Sequence, residues 1–212
     1  MATKAKAHQR YKNKAGDIVP GVTTITNLKA KPQLVIWANR LGLQGIDSSK
    51  YRDEKADIGT LAHAMILSHL KGEQADTSDY SANQITEAEN CFLSYLAWAK
   101  GKDIKPTLVE QSLISESYQF GGCLDFYGTI NGERVLVDYK TGGIYDEAKI
   151  QTCAYRQLLI ENGHPAPAKI VILGIPRTED EKFQEVTFTK FDVGWKYFKN
   201  LRENYDLDKL LK

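Results

Sequence analysis

Apolar residues in the first half of the chain recur at helical intervals, and those from Pro106 to Tyr139 recur at strand intervals. Pro32 opens a helical segment over 34–43 that Gly42 and Gly45 close. A longer helix is expected over about 51–70, with Gly72 behind it. Another is expected over about 84–100, ending at Gly101; its Ile85, Ala88, Phe92, Tyr95, Leu96 and Ala99 fall near helical spacing. From Thr107 to Ile114 the chain is rich in β-formers, and 120–130 and 134–139 are two further strand-like runs. Asn131-Gly132 between them is the strongest short hairpin signal. Asp146 to Asn162 reads as a helix with Gly163 as its stop. Ile170 to Ile175 is a short apolar strand ended by Pro176, and 185–191 alternates like another. Asp192 is expected to cap a last helix carrying Trp195, Phe198, Leu201 and Tyr205. The order of helices, three strands, helix, two strands and helix predicts an α/β (α+β) fold with a mixed central sheet flanked by helices.

This pattern divides the chain into a basic N-terminal tail over 1–17 and a single domain over 18–212. Within the domain, 18–104 forms a mainly helical annex, and 105–212 carries the sheet core and the C-terminal helix. The tail holds Lys4, Lys6, Arg10, Lys12 and Lys14, and no acid occurs before Asp17. It is read either as a solvated arm or as an arm that contacts phosphates.

Composition narrows the choice. The chain has 212 residues, 42% of them hydrophobic, enough for a core without disulfide or metal staples. Its 28 basic and 27 acidic residues exclude a uniform basic field, so any nucleic-acid binding must come from local patches. Cys91, Cys123 and Cys153 are odd in number and widely spaced, which argues against a disulfide framework and against a zinc or iron–sulfur cluster. No signal core, membrane span or phosphate-binding Gly-x-x-x-x-Gly-Lys run is seen, so a cytoplasmic protein without an ATP motor is expected.

The hairpin carries the chemistry. If Asn131 and Gly132 form its loop, Ile130 faces Glu133, and counting outward sets Asp125 opposite Asp138 and Cys123 opposite Lys140. Opposed β-carbons lie roughly 4.5–5.5 Å apart. Alternation puts Leu124, Phe126 and Ile130 with Val135, Val137 and Tyr139 on a core face, and Asp125, Asp138 and Lys140 on the other. Two adjacent carboxylates repel unless a cation sits between them, and Mg²⁺ favours such oxygen ligands. Lys140 adds a positive charge that could act on a water or on phosphate. Spacing alone leaves an ordinary ion cluster on the wet face of a sheet as the alternative.

Gly122-x-x-Asp125, Asp138-Tyr139-Lys140-Thr141-Gly142 and Gln151-x-x-x-Tyr155, in that order, resemble the PD-(D/E)XK nuclease superfamily in its RecB-like exonuclease branch. Gly59-Thr60-Leu61-Ala62-His63 resembles the upstream histidine motif of that branch. Val19-Pro20-Gly21-Val22-Thr23-Thr24-Ile25 is similar to the opening of phage and mitochondrial-type members, with Gly21 where serine is common. The resemblance implies a restriction-endonuclease-like core and a stand-alone exonuclease dependent on Mg²⁺ or Mn²⁺. It implies that Asp125, Asp138, His63 and the Tyr139 carbonyl are metal ligands and that Lys140 is the catalytic lysine. Glu110 is the best match for an added acid on the first core strand, and Gln151 and Tyr155 would touch DNA or order the lysine. The iron–sulfur cluster of some relatives is not expected, because four cysteines are needed and three are present. DNA is the expected partner, with a single-strand annealing or recombination protein beside it, and phage or prophage recombination or repair the expected setting, in the bacterial host's cytoplasm if phage-encoded. A structure-selective or nicking endonuclease of the same superfamily, or a non-catalytic nucleic-acid-binding protein, is the alternative. His69 should point away from the site, and His8 and His164 belong to no motif. Trp37, Trp98 and Trp195 fit helix core positions better than base-stacking platforms.

Overall fold

The computed structural model describes residues 10–211. Residues 1–9 of the expected basic tail, with His8, lie outside the described residues. The chain begins with a small antiparallel pair, β1 (Tyr11–Lys12) with β2 (Ile18–Val19), whose turn spans part of that tail. Three helical pieces follow: α1 (Val22–Thr26), α2 (Pro32–Leu43) and the long α3 (Ser48–Lys71). The Asp47 carboxylate caps α3 by accepting from the Ser49 and Lys50 N–H groups, and Gly72 ends it at φ 74°. A Ser81–Gln84 capping box starts α4 (Ala82–Ala99), which packs back on α3.

The sheet is built from β3 (Ile104–Ser115), β4 (Phe120–Ile130), β5 (Glu133–Thr141), β6 (Lys169–Ile175) and β7 (Gln184–Phe188), in that spatial order. All neighbours are antiparallel except β5 and β6, which run parallel because α5 (Asp146–Glu161) crosses over between them. Helix α6 (Asp192–Leu210) closes the chain. The mixed α/β architecture is therefore the one the pattern predicted. Asp192, expected to cap α6, is instead its first helical residue, and its charge lies in the positive first turn.

Helices cover both faces of the sheet. Ile58, Leu61, Ala62 and Ile66 form one stripe of α3 and pack with α4 on Phe126, Val137 and Tyr139. On the opposite face, α1, α5 and α6 pack on Leu124, Tyr127, Leu136 and Ile172. The expected wet face is thus a second core, and Leu124 belongs to it rather than to the face of Phe126. The physical reason is local. Glu110 on β3 takes φ 51° between Val109, paired with Phe126, and Gln111, paired with Leu124. A left-handed residue interrupts the pleat there, so alternation changes face on either side of Glu110 and Asp125.

Candidate active site at the fork of the sheet

Asn131 (φ 53°) and Gly132 (φ 80°) form the two-residue hairpin loop, and Ile130 pairs with Glu133 as counted. The same register continues to Phe126 opposite Val137 and then stops. Asp125 and Asp138 are therefore not a ladder pair, and neither are Cys123 and Lys140, contrary to the simple count. Beyond this point β4 stays with β3, and β5 stays with β6, pairing Asp138 with Ile172 and Lys140 with Gly174. The sheet forks, and the Asp125 side chain reaches into the gap. Its Oδ2 accepts the Tyr139 N–H at 2.8 Å, replacing the backbone bond that the fork removes. Because N–H and C=O of one strand residue point to the same edge, the Tyr139 carbonyl also faces the gap.

Both helical layers reach this fork. On α3, Gly59 lies one turn before His63, and a β-carbon at Gly59 would meet Thr141 Oγ1 at 2.8 Å. Its missing side chain lets α3 approach the end of β5, which brings His63 Nδ1 to 3.6 Å from Asp125 Oδ1. The His63 ring stands edge-on to Tyr139, with centroids 5.9 Å apart. From the other layer, Gly122 leaves the space that Tyr155 of α5 fills, since a β-carbon there would lie 2.7 Å from the Tyr155 ring. Gln151 Nε2 donates to the Tyr155 hydroxyl at 2.5 Å. Tyr155 is buried and Gln151 only half-buried, so Tyr155 holds Gln151 toward the opening.

The electrostatics separate the two acids. Asp138 is 2% exposed, and Lys140 Nζ lies 2.7 Å from its Oδ2. The Lys140 ammonium is the partner of Oδ2, in an ion pair of poor hydrogen-bond alignment, and no other donor among the described residues reaches that oxygen. Burial pushes the Asp138 carboxyl up to about 6, with the Asp125 charge adding to it and Lys140 opposing it. Burial also acts on Asp125, but His63, Lys140 and the Tyr139 N–H outweigh it and hold that carboxyl below its ordinary value. Burial lowers His63 and Lys140, yet the neighbouring carboxylates win and raise both. Two carboxylates of opposite tendency, one imidazole and one ammonium thus share one gap.

Among the described residues these groups do not close into a ready-made cage of three ligands. The donor chemistry nevertheless fits a hard divalent cation. A buried carboxylate oxygen whose partner is the Lys140 ammonium, a second carboxylate, an inward-facing carbonyl and an imidazole leave the rest of the shell to water and phosphate, as Mg²⁺ prefers.

Residues 37–209 match the model of the PD-(D/E)XK nuclease superfamily. The chain belongs to that superfamily. It is accordingly a nuclease, a hydrolase of nucleic acid, in a family that generally uses divalent metal ions. No curated protein matches the chain. Among solved structures it is similar to a candidate exonuclease from Eubacterium rectale, at 11% identity and a TM-score of 0.41, covering 69% of this chain and 68% of that one. It is also similar to the protein SSO0001, at 16% identity and a TM-score of 0.41, covering 95% of this chain and 79% of that one. Among the described residues no helix is long and apolar enough to cross a membrane.

Of the residues singled out in the sequence, His63, Asp125, Asp138, Tyr139, Lys140, Gln151 and Tyr155 gather at the fork. Glu110 sits on β3 opposite the Asp125 position of β4, exposed and in its left-handed conformation. Its charge reaches Cys123, where burial, chiefly, and the Asp125 and Glu110 carboxylates push the thiol up to about 11. His69 turns away to Phe92 and Tyr95, as expected. Trp98 is buried and Trp195 packs on the core, but Trp37 is a correction. Helix α2 buries none of its residues, and Trp37 lines a cleft that ends at Lys140 and Gln151. The sequence held a signal for this: Leu34, Val35, Ile36 and Trp37 are consecutive, and four adjacent helical residues cannot all face one core.

Proposed function

We propose that this nuclease is a metal-dependent DNA exonuclease whose active site is the forked end of β4 and β5. The observation that carries the reading is the gathering of Asp125, Asp138, Lys140 and His63 in that gap, with His63 3.6 Å from Asp125 and Lys140 2.7 Å from Asp138. Asp125, Asp138, His63 and the Tyr139 carbonyl would hold Mg²⁺ or Mn²⁺. A divalent cation there supplies charge neutralisation for the scissile phosphate and a more acidic water. Lys140 presents its ammonium to charge developing on the phosphate, and Asp138 keeps that ammonium in place. Gln151, steadied by Tyr155, orients the lysine or the strand at the opening. Glu110 stands at the rim as an added acid. The nuclease unit is taken as 18–212. A role in recombination or repair of phage or prophage DNA in the cytoplasm, beside a single-strand annealing protein, rests on the small size without a motor and on the resemblance of Val19 to Ile25.

The deciding experiment digests end-labelled linear and circular DNA, single- and double-stranded, with Mg²⁺, with Mn²⁺ and with EDTA. Loss of linear DNA from its ends, with circles spared and EDTA inhibiting, is expected. Cut circles would make the protein the alternative endonuclease, and no cleavage of any substrate would sink the enzymatic reading.

His63 gives a sharper expectation. In the metal-free protein its proton is held by Asp125, and that proton must leave before the ring can donate to a cation. Because the folded value lies above the ordinary histidine value of about 6.5, apparent metal affinity should already be falling as pH drops toward that value, and should fall further below it. A nitrogen donor favours softer ions, so Mn²⁺ should serve at least as well as Mg²⁺. His63→Ala should raise the metal midpoint for cleavage about tenfold or more while DNA affinity in EDTA changes little. Equal midpoints for the two proteins would leave His63 a structural residue.

A further inference from the structure

A cleft of 670 Å³ runs outward from Lys140 and Gln151, a volume ordinary for a ligand site. One wall is the α1–α2 connection and the start of α2, with Lys29, Lys31 and Trp37; the other is the loop before α5, with Tyr145. We propose that this cleft is a subsite for an unpaired nucleotide of the substrate strand, in which Trp37 stacks on the base and Lys29 and Lys31 meet the flanking phosphates. The proposal rests on the nuclease reading and adds a preference for single-stranded ends.

Several observations converge on this occupant. The lysine of the proposed active site is one of the residues lining the cleft, so whatever fills the cleft adjoins the scissile phosphate. Helix α2 has no buried residue, so a role in holding the core does not explain its tryptophan. The Trp37 ring meets Tyr51 of α3 in a T-shaped contact, with centroids 6.1 Å apart and planes at 61°, which holds it where it lines the cleft. Tyr145 is 72% exposed at the start of α5 and caps it with no side-chain bond. Lys31 is steadied by Asn27 at 3.0 Å and by Glu147 at 3.8 Å, close enough to stay at the mouth without being neutralised by a tight pair. Two aromatic rings with lysines beside them are what a single strand requires, because stacking needs a base face and a duplex hides it. A duplex would use only the lysines.

Fluorescence anisotropy in EDTA tests the proposal without cleavage, using a labelled single-stranded oligonucleotide, the same strand with abasic positions, and a blunt hairpin duplex. Trp37→Leu should weaken binding of the intact single strand about tenfold. Trp37→Phe should keep most of it. Duplex binding should be unchanged, and the wild-type protein should bind the abasic strand about as weakly as Trp37→Leu binds the intact one. Tyr145→Ala, on the opposite wall, should show the same selective loss of single-strand binding. The absence of any loss, or an equal loss on single strand and duplex, in both Trp37→Leu and Tyr145→Ala would overturn the proposal. These binding results stand apart from the digestion assay: a wild-type protein that cuts nothing would refute the nuclease reading while leaving the stacking result intact.

Discussion

Asp138→Asn should abolish cleavage and yet raise the melting temperature of the metal-free protein, whereas Asp125→Ala should abolish cleavage and lower it. Both substitutions remove a proposed metal ligand, so the loss of activity is common to them. The stability effects differ because the fork treats the two carboxylates differently. Asp138 is buried with the Lys140 ammonium as the partner of its Oδ2, and that burial pushes it up to about 6. A carboxyl whose folded value is raised favours the folded state most below its unfolded value, and this contribution is lost as pH rises through about 6. At pH 7 the ionised group then carries a penalty of up to about 3 kcal/mol, which the uncharged Asn relieves, offset in part by the counterion that Lys140 loses. For a chain of this size each kcal/mol is worth about 2–4 °C. Asp125 is the reverse case. Its carboxyl is held low by His63, Lys140 and the Tyr139 N–H, so its contribution is present above the ordinary carboxylate range and lost as pH falls through its folded value. Removing it orphans a backbone donor and an imidazole. Thermal unfolding in EDTA between pH 4 and pH 8 reads both effects, and added Mn²⁺ should stabilise the wild type but neither variant. A fall in melting temperature for Asp138→Asn at pH 7, or turnover near the wild-type rate in either variant, would sink this assignment of the site.

The register of the hairpin was legible in the sequence because Asn131-Gly132 admits few turn types, and one turn type fixes every pair along two strands. The pairs from Ile130–Glu133 to Phe126–Val137 follow from it. The fork did not follow. A ladder has no sequence mark where it ends, and Asp125 looked like any alternating strand residue. What ends the ladder is a side chain accepting a backbone N–H, which only the third dimension reveals. The face of Leu124 was lost for the same reason: one left-handed glutamate changes the parity of everything beyond it. Short elements such as α1 and the β1–β2 pair fell below the length at which periodicity has meaning. Gly59 was more informative. A glycine inside a helix costs stability, which marks a place where a neighbour comes close, and the Thr141 side chain is the neighbour that needs the space. His63 reaches Asp125 as a consequence. Trp37 was misplaced because tryptophan is usually a core residue, and that prior outweighed the contiguous apolar run around it.

Lys140→Ala should lower single-turnover cleavage by about 10²–10⁴-fold while nucleic-acid affinity in EDTA changes little. Burial alone would lower this ammonium, but Asp138 and Asp125 overcome it and keep the group protonated at neutral pH. A lysine held charged is poorly suited to remove a proton from water and well suited to meet negative charge as it develops on phosphate. Its effect should then appear in the chemical step rather than in ground-state binding. Lys140→Arg should recover more rate than Lys140→Gln, since a permanent charge is what is asked of the position, even though the guanidinium cannot reproduce a compact ammonium. The same substitution has a second readout. Without Lys140, Asp138 keeps its burial and loses its counterion, so Lys140→Ala should destabilise the metal-free protein at pH 7, and Asp138→Asn in the same chain should remove that penalty. A defect confined to affinity, with the single-turnover rate intact, would make Lys140 a phosphate-positioning residue. An additive double mutant would mean that the 2.7 Å pair at the fork carries no coupling, and that burial of Asp138 is relieved by some other route.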